Sequence, residues 1–231
     1  MKGLKRFKVI KTFDSIADRY ILANHLLSFW QDICWRKTMF NLISQNLENR
    51  DIFVDVATGT GENFKYCHSD FRLKIGLDPA RKMLEIAKRR FENVQFIEGM
   101  AETLPFKNET ADLITVSFGV RNFEDRKKSF EEFNRVLRKG GILGILEFFP
   151  MENGTFINKA AAKYIYDILP YLGGVITGNF NAYKYLSKSI KNFILPNIMK
   201  LELENVGFNV IEVERLFPNV YIFIAKKVKS L

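Results

Sequence analysis

Two cysteines and two histidines in 231 residues leave little from which to build a metal centre or a disulfide framework. Cys34 and Cys67 form no CxxC pair, and only His25 and His68 could join them as ligands, so neither a structural metal nor a stapled scaffold is expected. No uninterrupted apolar run follows the basic N-terminus, which argues against a signal peptide, and no stretch approaches the roughly 18 consecutive apolar residues of a membrane span. Internal repeats, low-complexity tracts and flexible linkers are also missing. What remains is a reduced, cytoplasmic protein, long enough and at 47% hydrophobic content apolar enough to bury one full core.

The net charge of +9 is concentrated at the two ends, in Lys2, Lys5, Arg6, Lys8 and Lys11 and again in Lys226, Lys227 and Lys229. Such ends could meet nucleic acid or the anionic face of a membrane, but solubilising charge on frayed termini accounts for them better. Peripheral membrane contact is left open on this ground alone.

Between residues 14 and 47 apolar positions recur at helical spacing, with Ile16, Tyr20, Leu22, Leu26, Leu27, Phe29, Trp30, Trp35, Met39, Phe40, Leu42, Ile43 and Leu47 as the buried stripe of two helices. The pattern then changes to short apolar runs at 52–56, 73–77, 94–97, 112–116 and 142–148, separated by helical stretches. Alternation of this kind predicts an α/β fold, a mostly parallel sheet with helices on both faces. One helix is expected over 79–90 with Pro79 in its first turn, and another over 125–138 ending at Gly140-Gly141. Strands at 208–214 and 220–226 are joined at Phe217-Pro218-Asn219 by a connection too short for a parallel crossover, so the last of seven strands should run antiparallel. A single Rossmann-like domain results, with an N-terminal helical segment (1–50), a core (51–150), a helical insertion between strands five and six (151–206) and a terminal hairpin (207–231). The insertion is rich in Tyr164, Tyr166, Tyr171, Tyr183 and Tyr185 and reads either as plain helix core or as a cap over an apolar ring.

The chemistry concentrates at the end of strand one. Asp55 is followed by Gly59-Thr60-Gly61, a GxG turn expected to open a helix, and Asp78 ends strand two, where a carboxylate can accept both hydroxyls of a ribose. A dinucleotide fingerprint would require a small residue where Phe64 stands. An acid beside pyrophosphate would also repel it, whereas a zwitterionic sulfonium suits Asp55. S-adenosylmethionine is therefore the expected cofactor, with a plain structural turn as the rival explanation.

These features, with the runs TFDSIADRY, NHLLSFW, VDVATGTGE, GLDPARKMLEIAKRR, AETLPF, VSFGVRNFED, NRVLRKGG, LEFFP, YDILPYLGG, YKYLSKSI and ENVGF, resemble the class I methyltransferases and, over most of the chain, the ubiquinone/menaquinone biosynthesis C-methyltransferase family. The resemblance implies C-methylation of a demethylmenaquinol or related quinol. It places Asp55, Gly59, Thr60 and Gly61 about the cofactor's methionine part, Asp78 on its ribose, Met100 and Ala101 at the adenine edge and Ser117 on the floor. It makes Arg121 and Glu147 the catalytic candidates, and puts Asn122, Tyr166 and Tyr183 against a small apolar aromatic acceptor. The simpler reading of Arg121 is a salt bridge to Glu124 or Asp125, and that of Glu147 a local bond holding the loop. Departures fall at Met100, where the family has Asp or Asn, and at Ile21, Asn179 and Lys188 outside the cofactor core. A nucleic-acid partner is not expected, because strand four leads into SFGVRN rather than an Asp/Asn-Pro-Pro-Tyr/Phe turn and neither cysteine follows a proline. A methyltransferase for another phenolic or small apolar acceptor and a noncatalytic cofactor-binding module are the alternatives.

Overall fold

The computed structural model describes residues 10–11, 17, 19, 21–67, 70–151 and 154–228. The expectations for Ile16, Tyr20, His68, Lys229 and the first basic residues, Lys2, Lys5, Arg6 and Lys8, lie outside them. Seven strands form one sheet: β1 (Ile52–Val56), β2 (Leu73–Asp78), β3 (Gln95–Glu98), β4 (Ala111–Ser117), β5 (Leu137–Phe148), β6 (Phe208–Leu216) and β7 (Val220–Lys227). Their order is β3-β2-β1-β4-β5-β7-β6, with β1 to β5 parallel and β7 antiparallel to both its neighbours. Chain order therefore reverses between β1 and β4, where a crevice opens beyond the strand ends.

The two-residue period of the strands divides the core. Val54, Val56, Ile114, Val116, Leu143, Ile145 and Phe223 face one layer, which includes Phe130 and Phe133 of the helix Arg126–Val136 and Met199 and Leu203 of the helix Pro196–Asn205. Phe53, Leu113, Ile142, Leu146, Ile222 and Ile224 face the other, against Trp35, Met39, Phe40 and Ile43 of α1 (Gln31–Asn46). Residues 21–27 are also helical, so the expected pair of N-terminal helices is present. Leu22, Phe29 and Trp30, assigned to the buried stripe, are instead exposed; Phe29 and Trp30 take left-handed backbone (φ 51° and 58°) in the turn between the two helices, which breaks the stripe there.

Three other boundaries depart from expectation. Pro79 lies ahead of the N-cap Ala80 rather than in the first turn of α2 (Arg81–Arg90). The helix Arg126–Val136, α3, stops before the glycines because Leu137 already pairs with Ala111, and Gly140 (φ 78°) is taken into β5. The GxG turn opens only the single 3-10 turn Glu62–Lys65, since Phe64 turns inward to pack on Phe53, Phe91 and Phe96 with ring centroids 5.2, 5.9 and 5.9 Å away.

The insertion folds into α4 (Phe156–Lys163), a π-turn (Tyr164–Ile168), α5 (Leu169–Thr177) and α6 (Phe180–Lys191); Pro196–Asn205 is α7. It packs on the N-terminal segment through Ala23, Leu27, Leu169, Ala182 and Tyr183, and Tyr164 donates to the Leu27 carbonyl at 2.9 Å. No helix among the described residues is long and apolar enough to cross a membrane.

Gly173 and Gly174 let α5 lie directly on the rings of Tyr183 and Phe180, which any Cβ at those positions would overlap. Gly173→Ala should thus destabilise the fold by about 1–3 kcal/mol. Urea denaturation measures this, and an unchanged midpoint would show that α5 and α6 do not meet there.

Candidate functional site

The crevice at the strand ends divides into two cavities. The smaller, about 100 Å³, is lined by Gly59, Leu77, Asp78, Pro79, Ala80, Met83, Met100, Ala101, Ser117 and Asn122 among others. The larger, about 350 Å³, lies under the insertion and is walled by Leu27, Trp35, Phe148, Ala160, Ala161, Tyr164, Ile165, Tyr183 and Leu186. Phe118 lines both.

In the smaller cavity Asp78 ends β2 with one carboxylate oxygen on the Gly59 N–H and the other on the Ala80 N–H, each at 2.8 Å. The carboxylate thereby ties the glycine turn to the second strand and still borders the cavity. Met100 and Ala101 form the opposite edge, with Met100 bridged to Thr103, and Ser117 is on the floor. A thioether cannot accept an amino group as a carboxylate would, so that edge offers backbone groups.

Asp55 does not reach the cavity. It is buried at the end of β1 and accepts from Thr58 Oγ1 (2.6 Å), Asn63 Nδ2 (2.7 Å) and Thr115 Oγ1 (2.5 Å). Burial pushes its carboxyl above the ordinary aspartate range, against the pull of those three donors. The expected contact with cofactor becomes a supporting one beneath the turn. Thr60 and Gly61 also fail to line the cavity: Thr60 is buried and its carbonyl accepts from Arg90 Nη1 at 2.6 Å, while Gly61 (φ 81°) meets the Phe91 ring where a Cβ would be.

Around the larger cavity Arg121 contributes its guanidinium, but its partner is Glu147, not Glu124 or Asp125. The pair is buried, with side chains 5% and 0% exposed. Arg121 also donates to the Phe118 carbonyl at 2.8 Å. Glu147 accepts in addition from the N–H groups of Arg121 (3.2 Å) and Phe148 (2.8 Å) and faces neither cavity. Burial raises its carboxyl while Arg121 and the two N–H groups act in the opposite direction. Its catalytic assignment is corrected accordingly: Glu147 positions Arg121. Tyr166 is likewise outside the cavity, its hydroxyl accepting from the Met151 N–H at 3.0 Å, whereas Tyr183 is a wall. Asn122 borders the smaller cavity and accepts from the hydroxyl of Tyr185, a wall of the larger one, at 3.0 Å.

Tyr185, one of the tyrosines expected in the insertion, has its phenol raised by burial, and sequence reasoning missed a polar group on the N-terminal side. There Asp32 lines the larger cavity, bonded to His25 Nδ1 (2.8 Å) and Ser28 Oγ (2.7 Å), with Arg36 beside it. Part of the signal was available: Asp32 and Arg36 are four residues apart, on one face of α1, and Ser28 joins them from the turn before it.

Removing Glu147 leaves Arg121 as a buried charge without its counterion. Glu147→Ala should cost roughly 3–5 kcal/mol in stability by chemical denaturation, and a loss under 1 kcal/mol would mean that the pair is hydrated.

A sequence model of the ubiE/COQ5 methyltransferase family matches residues 1–225. The ubiquinone/menaquinone biosynthesis C-methyltransferase of Campylobacter jejuni is 39% identical, covering 96% of this chain and 99% of its own. The demethylmenaquinone methyltransferase of Thermotoga maritima is also 39% identical, over 97% and 98% of the two chains. Among solved structures, a possible histamine N-methyltransferase from Thermotoga maritima superposes with a TM-score of 0.67 at 18% identity, over 96% of this chain and 100% of that one. At that identity the likeness shows the fold.

Proposed function

The chain belongs to the ubiE/COQ5 methyltransferase family, and from that premise we propose that it transfers a methyl group to a ring carbon of a demethylmenaquinol-like quinol, held in the larger cavity. It is an S-adenosylmethionine-dependent methyltransferase of class I fold. The cofactor supplies an electrophilic methyl group on a sulfonium. The residues present suit it: Asp78 offers carboxylate oxygens beside the glycine turn, and Leu77, Pro79, Ala80 and Met83 make an apolar slot for a purine.

One observation carries the reading: a small cavity bordered by the Asp78 carboxylate and a larger, largely apolar one meet at Phe118. An acceptor in the second cavity is thus brought up to a cofactor in the first, and positioning of that kind is most of what an in-line displacement requires. Trp35, Phe148 and Leu186 exclude water around an aromatic ring. Loss of the proton from a ring hydroxyl raises electron density on the neighbouring carbon, which would take the methyl group as its bond to sulfur breaks and a neutral thioether leaves; loss of the ring proton to water would then restore aromaticity. Arg121 is held ready to stabilise the phenolate, with Nε buried and without a hydrogen-bond partner.

The rim of the larger cavity favours an acceptor with an apolar tail. Phe29, Ile157 and Phe217 line it while remaining 66%, 61% and 56% exposed. The same rim supports peripheral contact with a lipid surface, where a prenylated quinol resides.

Incubation with methyl-labelled cofactor and reduced demethylmenaquinol should label the quinol, and label appearing only in a tail-less phenol would sink the assignment. Asp78→Ala should weaken cofactor binding by roughly 1–3 kcal/mol in calorimetry, so an unchanged affinity would remove Asp78 from the ribose. Arg121→Lys, which keeps a charge beside Glu147, should lower kcat about 10²-fold with cofactor affinity unaltered; equal losses in both would assign Arg121 to structure.

A further inference from the structure

Arg36 is buried, at 8% exposure, and belongs to no ion pair among the described residues. One Nη donates to Asn63 Oδ1 and the guanidinium carbon lies 5.5 Å from the centroid of the Phe118 ring, but Nε is enclosed without a hydrogen-bond partner. A guanidinium cannot shed its proton to escape burial. An amide oxygen and a ring face compensate such a charge only in part.

The carboxylates nearest in the network are already engaged. Asp55 accepts from Thr58, Asn63 and Thr115, and Asp32, one helical turn before Arg36, accepts from His25 and Ser28. Asp55 feels the charge of Arg36 only through Asn63 and at a distance, so among the described residues a direct anionic partner is left to a ligand. Its position says which one. The Asn63 oxygen that accepts from Arg36 also accepts from Ser117 Oγ at 3.0 Å, and Ser117 lines the smaller cavity. The ring beneath Arg36, Phe118, borders both cavities. Cavities for ligands of this size usually hold about 300–1,000 Å³. The smaller cavity, at about 100 Å³, takes only part of a nucleoside carrying an amino-acid arm, and the remainder passes Phe118 toward Arg36.

We propose that Arg36 receives the α-carboxylate of the cofactor's amino-acid arm, with Nε as a donor. This rests on the smaller cavity's being the nucleoside site. The role also accounts for Asn63, which holds the guanidinium in place through a chain that ends on Asp55.

The test is calorimetric and needs no turnover. Binding of S-adenosylhomocysteine is compared with that of 5′-methylthioadenosine, which has the same nucleoside and no carboxylate, for the wild-type chain, Arg36→Met and Arg36→Lys. Arg36→Met should weaken S-adenosylhomocysteine binding roughly ten- to hundredfold and leave methylthioadenosine within about twofold, which also reports that the variant is folded; Arg36→Lys should restore part of the loss. Unchanged S-adenosylhomocysteine affinity in Arg36→Met, or an equal loss for both ligands in Arg36→Lys, overturns the role of Arg36. Failure of the wild-type chain to bind either ligand overturns instead the assignment of the smaller cavity, and the inference falls with it.

Discussion

A carboxylate at the end of the first strand has been taken out of water, and the site is organised around satisfying it. Asp55 draws Thr58 from the glycine turn, Asn63 from the short helix after it and Thr115 from the neighbouring strand. Asn63 is the branch point: its amide nitrogen serves Asp55, while its oxygen accepts from Ser117 and Arg36. Cofactor turn, cavity floor and N-terminal helix are thereby joined in one buried network, where low local dielectric strengthens every bond and makes each missing partner costly.

A second constraint is steric and sits at the same strand ends. Ala57 and Phe118 both adopt left-handed backbone, with φ of 54° and 59°, and a Cβ on Gly119 would stand 2.6 Å from that of Ala57. The turns leaving β1 and β4 are packed against each other as closely as backbone allows. Such a conformation is unfavourable for a bulky aromatic and persists only when its surroundings enforce it. Its result here is a phenyl ring fixed between the two cavities, with the Arg36 guanidinium carbon 5.5 Å from its centroid and the rings of Trp35 and Phe148 centred 6.1 and 4.8 Å away.

Strand positions were legible because the apolar runs are short and those of β1, β4 and β7 are buried almost throughout, while edge strands β3 and β6 are not; the seven strands, their order reversal and the antiparallel hairpin follow from that pattern. That Asp78 ends strand two and borders the crevice was legible from its place after the second apolar run. Asp55 was the right residue with the wrong task, since sequence does not say whether a strand-end side chain points toward the crevice or beneath it. The Arg121–Glu147 pair depends on β4 lying beside β5, and composition near Arg121 favoured the local acids instead. Helix boundaries failed where tertiary pairing overrode punctuation, as at Leu137 and Gly140. Asp32 and Arg36 were hidden because residues 14–47 were read only for their apolar stripe, and Ser28 because it sits in the turn before α1.

The two buried arginines of the site differ in one respect that separates their roles. Arg121 has a dedicated counterion in Glu147, so the pair is formally neutral and an uncharged quinol can enter beside it without facing a bare charge. Its attraction grows only as a ring hydroxyl ionises, and interactions that strengthen on the way to the transition state raise turnover rather than affinity. Among the described residues Arg36 has no such ion-pair partner, only the more distant Asp55 carboxylate, so most of its charge is left to act on an anion already present when the ligand binds. A paired guanidinium suits the step in which charge develops, and an unpaired one suits recognition of a permanent charge. The same residue type can therefore serve acceptor chemistry at the far side of Phe118 and ligand anchoring beside it, with the placement of a single carboxylate deciding between them.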